Sequence, residues 1–249
     1  MFPLNIKNAF DHDGFIVIRE FFGPHEIARI QCELDRYVCE VIPTLPAGRV
    51  MYEDKQRPET LKQLAFIAEH DAHLKGLLLN GKMPALASFL LDGPVLGKEL
   101  EWFNKVPHYS RETPPHQDGW YFMIEPPEAL TVWIALDEVD EENGCMRYLR
   151  GSHHKGLRPH IRSEVLGFSQ GIPDYDPGIE DEVAVTAKPG DVLVHHSLTV
   201  HLAHSNRSTN RQRRSLGAVY YSVAAKQDVA ALKKYQQQLN EHLVSTNRI

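Results

Sequence analysis

The chain has 249 residues, 42% of them hydrophobic and 24% charged, an ordinary soluble composition that excludes a disordered, collagen-like or disulfide-scaffold protein. Its net charge of −6 argues against nucleic acid or an anionic membrane surface as a main partner. No run approaches the roughly 18 apolar residues of a membrane-spanning helix, and the opening MFPLNIKNAFDHDG lacks the basic and apolar regions of a secretory signal, so a cytoplasmic protein is expected.

In chain order, Phe15 to Arg19 reads as a strand and a helix is expected from Pro24, where Ile27, Ile30, Leu34 and Val38 recur at helical spacing. Further helices are expected over Glu59 to His70 and Pro84 to Leu91, making residues 1–98 mainly helical. From Glu99 the character changes to short β-branched and aromatic runs separated by turn residues: LEWFNKV, GWYFMI, ALTVWIALD, GCMRYL, VAVTA, DVLVHHS and RSLGAVYYS. Such a series indicates a sandwich or barrel. A jelly roll over 99–222 is therefore expected, with a lid-like loop inserted at 158–182 and a helix within 223–249 whose Val229, Leu232, Tyr235 and Leu239 share a face. The whole forms one domain, mainly β with flanking helices.

Three cysteines, Cys32, Cys39 and Cys145, cannot all pair and read as small buried hydrophobes. Histidine is the unusual count: of 14 in the chain, seven lie between His153 and His204. In TPPHQDGWYF, His116 and Asp118 stand two residues apart, and the period of a strand would put both on one face. A distant histidine would complete a two-histidine, one-carboxylate set that leaves positions open on iron(II). HHSLTVHLAH offers His195, His196, His201 and His204.

Together with FNK at 103–105, LTVWIALDEVDEENGCMRYLRGSHHKG, KPGDVLVHHSLTVHLAHSNRS and the N-terminal DGFIVIREFF, this segment resembles the phytanoyl-CoA dioxygenase family of iron(II)- and 2-oxoglutarate-dependent oxygenases. The resemblance implies a double-stranded β-helix (cupin-like jelly-roll) core and a metal set of His116, Asp118 and His201. His201 takes precedence over His204 because Asn206 and Ser208 follow it at the family's intervals. His196 matches a position that supports the ligands, whereas His195 is expected on the opposite face of its strand. The arginine that grips 2-oxoglutarate normally lies eleven residues beyond the distal histidine, which falls on Gln212; one inserted residue moves the role to Arg213, and strand parity favours Arg213 over Arg214. Lys105 and Trp133 are further expected contacts to the cosubstrate, and Trp120 and Tyr121 stand beside the ligands. The implied cofactors are Fe(II), 2-oxoglutarate and O2, with a small-molecule substrate hydroxylated at an unactivated C–H bond and succinate and CO2 as co-products. Asp118, being a carboxylate, favours hydroxylation over halogenation. Two rival readings are a catalytically silent metal-binding or regulatory relative, which the shifted arginine favours, and a zinc hydrolase built on the HHSLTVHLAH histidines, which lacks an HExxH-like helix.

Overall fold

The computed structural model describes residues 2–46, 48–179 and 181–246. The chain opens with helix α1 (Leu4–Asp13), strand β1 (Phe15–Ile18) and helix α2 (Pro24–Arg36). In α2 the residues Ile27, Ile30 and Leu34 are buried, and Glu26 closes the first turn by accepting the Gly23 amide at 2.8 Å. Strands β2 (Val50–Tyr52) and β3 (Leu61–Leu64) follow, then helices α3 (Ile67–His70), α4 (Ala72–Leu79) and α5 (Lys82–Leu90). The central strands are β4 (Val95–Lys105) and β5 (Thr113–His116), then a short helix α6 (Asp118–Phe122), β6 (Ile124–Glu125), β7 (Ala129–Ala135) and β8 (Met146–Leu149). A hairpin of β9 (Ile161–Val165) and β10 (Phe168–Gly171) leads to β11 (Glu182–Val185), β12 (Val192–His196), β13 (His201–Ala203), β14 (Arg213–Ser222), β15 (Lys226–Gln227) and helix α7 (Val229–Ser245).

Two antiparallel sheets form the jelly roll: a major one ordered β1-β12-β7-β14-β4-β3-β2 and a minor one ordered β11-β8-β13-β5. Alternation along the major sheet separates two environments. Leu100, Trp102, Val132, Ile134, Leu216 and Tyr220 join the apolar core beneath α1, α2, α4 and α5. Glu101, Phe103, Trp133, Gly217 and Val219, from the same strands, face a cavity of about 780 Å³ between the sheets. Both faces of these strands are thus enclosed, and every residue of β7 is buried.

Several expectations are corrected. Glu59 to His70 is not one helix: Pro58–Thr60 is a single 3-10 turn, and Leu61–Leu64 is a buried strand that pairs with both β2 and β4. The helical propensity of LKQL yields there to pairing with a sheet edge. The second helix begins at Lys82 rather than Pro84, and α1 and α4 went unread. The β run starts at Val95, and β1 to β3 join the major sheet, so 1–98 is not merely a helical brace. GWYFMI is mainly helix α6, not a strand. The 158–182 segment holds a β-hairpin rather than a structureless loop. Cys145 is buried, but Cys32 and Cys39 are exposed.

Gly190 sets the turn into β12. Its φ is +96°, and a Cβ there would lie 2.2 Å from the Phe22 carbonyl oxygen, which accepts no shift because the Phe22 amide is itself bonded to the Gly190 carbonyl at 2.9 Å. Gly190→Ala is expected to cost about 1–3 kcal/mol and lower Tm by about 3–10 °C for a domain of this size, as read by thermal unfolding.

Candidate active site

His116 ends β5, and Gln117 is still extended (φ −123°, ψ 129°) before Asp118 opens α6. The expected same-face placement of His116 and Asp118 therefore holds across one extended residue, although the strand itself has stopped. Gln117 points the other way, where its amide donates to the Leu198 and Gly156 carbonyls at 2.6 and 2.9 Å. Antiparallel pairing sets His201 of β13 directly opposite His116, with ring centroids 4.1 Å apart. One ligand atom from each of His116, Asp118 and His201 lies within 4.8 Å of the others. Asp118 Oδ1 is 3.7 Å from His116 Nε2 and 3.6 Å from His201 Nε2.

The tautomers follow from the backbone. His116 Nδ1–H donates to the Pro114 carbonyl at 2.8 Å and His201 Nδ1–H to the Thr199 carbonyl at 3.0 Å. Both leave Nε2 as a lone pair aimed at Asp118, the orientation a metal-binding imidazole needs. Burial holds both rings below the ordinary imidazole range, His201 well below it. For Asp118, burial works to raise the carboxyl, but His201 and the hydrogen bond from His195 outweigh it and hold the group far below the usual carboxylate range.

His195 is the residue that the family's interval misplaced. It faces the site, and its Nε2–H donates to Asp118 Oδ2 at 3.1 Å while Nδ1 accepts the Tyr148 hydroxyl at 3.1 Å. His196 is on the opposite face, packed near Phe10 and His153. Thr131, unread in the sequence, donates its hydroxyl to the same Asp118 Oδ2 at 2.6 Å. Oδ2 is thereby saturated, and Oδ1 is left for the two Nε2 atoms. His204 is exposed beyond the end of β13.

Arg213 is 3% exposed and lines the cavity. Its Nε–H donates to the Gly144 carbonyl at 3.1 Å, and its guanidinium carbon is 5.4 Å from the centre of the Trp133 ring. Among the described residues no carboxylate lies within ion-pair distance of it, and burial pulls it down to about 10. Arg214 faces away and is paired with Asp137 through Nη2–Oδ1 at 2.7 Å and Nε–Oδ2 at 3.0 Å. Lys105, opposite Arg213 in register, donates to the Arg111 carbonyl at 2.8 Å. Burial, then Arg213, pushes it well below the ordinary lysine range.

Asn206 and Ser208 have a structural task. The Asn206 amide donates to the carbonyls of Lys105 (2.7 Å) and Arg211 (2.6 Å), and Ser208 Oγ donates to Asn206 Oδ1 at 2.6 Å. They fold the turn that delivers Arg213 into β14. Tyr121 lines the cavity and its hydroxyl donates to the Gln170 carbonyl at 3.1 Å, whereas Trp120 stacks on His160 at 4.9 Å. The hairpin roofs the cavity through Phe168, 5.3 Å from the His116 ring, and Ser169 bonds Tyr235 of α7.

Comparison with known proteins agrees with this arrangement. The chain is 25% identical over 234 residues to the peroxisomal phytanoyl-CoA dioxygenase of Rattus norvegicus, covering 88% of this chain and 68% of that protein. It is 26% identical over 207 residues, 80% of this chain and 72% of the relative, to a probable alpha-ketoglutarate-dependent hypophosphite dioxygenase of Stutzerimonas stutzeri. Against the mammalian relatives it spans 64 to 68% of their length. The epimerase SnoN, solved with Fe3+, alpha ketoglutarate and nogalamycin RO, superposes with a TM-score of 0.73 at 25% identity, over 92% of this chain and 88% of that one. Fold and site together define a non-haem iron(II)- and 2-oxoglutarate-dependent dioxygenase. Within that class the chain belongs to the phytanoyl-CoA dioxygenase (PhyH) family, whose profile matches residues 10–215. No helix among the described residues is long and apolar enough to cross a membrane.

The donor set fits iron(II): two neutral imidazole nitrogens and one carboxylate oxygen that has no hydrogen-bond donor among the described residues, on one side of a partly open cavity. The buried, uncompensated Arg213 fits a carboxylate.

A pH dependence follows for the metal-free protein. His116 and His201 have folded-state values below the unfolded value of about 6.5. The unfolded chain therefore takes up protons first, and the stability these groups contribute is present above that pH and is lost as pH falls below it. Asp118 adds a second loss below its unfolded value of about 3.9. Urea midpoints measured with chelator should fall from about pH 6.5 downward, and His116→Gln with His201→Gln should flatten the upper part of that fall.

Proposed function

We propose that this chain hydroxylates an unactivated C–H bond of a small molecule, with His116, Asp118 and His201 holding iron(II) and Arg213 holding the distal carboxylate of 2-oxoglutarate. The observation that carries this reading is the pairing of a His–Asp–His cluster with a buried guanidinium that has no carboxylate of its own, both opening on one cavity. Bound iron and 2-oxoglutarate supply the oxidising power, consuming O2 and releasing succinate and CO2.

The chain's own residues supply the rest. Pro114 and Thr199 carbonyls fix the two imidazoles, while Thr131 and His195 occupy one Asp118 oxygen and so restrict the carboxylate to binding through the other. Trp133 supports the guanidinium plane, Gly144 accepts its Nε–H and Ser215 Oγ accepts from Nη1 at 3.3 Å, so the remaining Nη hydrogens would make the planar two-bond grip. Phe168 and Tyr121 wall the site and limit water near the reacting atoms. Because Asp118 is a carboxylate, no ligand position is vacated for a halide, which supports hydroxylation as the outcome. The burial of Arg213 in the cavity supports this reading over a silent relative.

His116→Ala, Asp118→Ala and His201→Ala should each abolish iron-dependent succinate formation, and His204→Ala should retain it. Arg213→Lys should weaken 2-oxoglutarate about tenfold or more, since each charge-assisted hydrogen bond is worth about 1.5–3 kcal/mol. Arg214→Lys should leave 2-oxoglutarate binding near wild type and act on stability through Asp137. Direct binding by calorimetry under anaerobic conditions separates these outcomes, and a dead His204→Ala beside an active His201→Ala would overturn the ligand assignment.

A further inference from the structure

Glu99 and Glu101 stand two apart on β4, and both side chains face the cavity. Neither has a lysine or arginine within ion-pair distance among the described residues. Their neighbours on β14 offer no donor: Glu101 is opposite Gly217 and Glu99 opposite Val219. On β3 the nearest polar group is Gln63, 5% exposed, whose amide nitrogen is 3.4 Å from Glu101 Oε2 and whose Oε1 is buried with no partner. Arg49, at the cavity's edge, is engaged with Glu69 at 3.1 Å and with the Phe66 ring at 4.3 Å. Burial, then repulsion from Glu101, drives the Glu99 carboxyl well above the usual carboxylate range, and burial lifts Glu101 to about 6. The two carboxyls thus hydrogen-bond each other across a shared proton, with the Gln63 amide nitrogen at Glu101, and among the described residues no lysine or arginine at ion-pair distance offsets the charge they carry when both ionise.

The charge of the proposed metal centre does not answer them. Iron(II), Asp118, a 2-oxoglutarate dianion and Arg213 balance among themselves. Aromatic surface adjoins the acids: Phe103 follows Glu101 on the same face of β4, and Tyr221 lies beside Glu99. Carboxylates next to ring faces suit a cation carried on an apolar body.

We infer that Glu99 and Glu101, with Gln63, form the recognition site for a positively charged nitrogen on the primary substrate, which is therefore an amine or amine-bearing small molecule. This rests on the proposed function above and names its substrate class. The group to be oxidised would be a C–H bond on the apolar body, toward His116 and Asp118.

The test is calorimetry with three shape-matched probes: 2-phenylethylamine, 2-phenylethanol and 3-phenylpropanoate. Each is titrated into the anaerobic protein loaded with iron(II) and 2-oxoglutarate, and into the metal-free protein. The amine should bind about tenfold or more tighter than the alcohol, the value of one charge-assisted hydrogen bond, and the carboxylate weakest. Glu99→Gln with Glu101→Gln should collapse the amine–alcohol difference while leaving 2-oxoglutarate binding unchanged. Equal binding of amine and alcohol by the wild-type protein, or a preference that survives the double substitution, overturns the proposal. Failure of 2-oxoglutarate to bind the wild-type protein would instead sink the functional reading, and the metal-free titration reads the amine preference independently of it.

Discussion

A buried carboxylate is the constraint around which this protein is organised. Asp118 sits where desolvation alone would force it to take up a proton, and the hydrogen bonds that His195 and Thr131 donate to it favour its ionised form, while side chains from four strands surround it. His116 arrives from β5, His201 from β13, His195 from β12 and Thr131 from β7. The first and third lie in different sheets, so the carboxylate acts as a clasp between them. The antiparallel register that sets His201 opposite His116 is thus a packing feature that also brings two imidazoles beside one carboxylate. Two oxygens of one side chain receive different duties: Oδ2 is saturated by hydrogen bonds that fix its orientation, and Oδ1 is kept for the imidazoles.

A second buried charge sits at the other end of the same cavity and is handled in the opposite way. Arg213 is given a carbonyl, a serine hydroxyl at 3.3 Å and a ring face, but no anion. Its neighbour Arg214, one residue on and across the sheet, is fully paired with Asp137. The contrast within a single dipeptide separates an arginine paired inside the fold from a buried one without a carboxylate partner among the described residues. Leaving a guanidinium without its counter-ion costs stability, and the Asn206–Ser208 network behind it anchors the turn that holds it in place.

Much of this was legible in the sequence, for identifiable reasons. His116, Asp118 and His201 carry side-chain chemistry at intervals that survive folding, and Arg213 was separated from Arg214 by parity along a long, regular strand. His195 and His196 do alternate across β12, but the family's interval gives the place at the site to His196, whereas the phase of β12 is set by its pairing with β1 and β7, remote in sequence, which turns His195 inward. Leu61–Leu64 was misread as helix because its residues favour that state locally, while the free edge of β4 decided otherwise. Thr131 was invisible because a threonine in a β-branched run has its ordinary explanation in propensity. Glu99 and Glu101 alternate with Leu100 and Trp102, a pattern that reads as one wet face and one dry. The wet face turned out to line a cavity between the sheets, which no periodicity distinguishes from bulk solvent.

The closure of that cavity explains the two segments that lie outside the jelly roll proper. The β9–β10 hairpin places Phe168 over His116, and α7 returns across the hairpin so that Tyr235 meets Ser169. Tyr121, from the helix that begins with Asp118, bonds Gln170 of the same hairpin. The roof is therefore tied to the ligand-bearing segment itself through a single short helix, and displacement of the hairpin would pull on α6. The acids on β4 lie under the same roof, where an apolar-bodied ligand would meet the hairpin, the aromatic wall and the face that carries His116 and Asp118 at once.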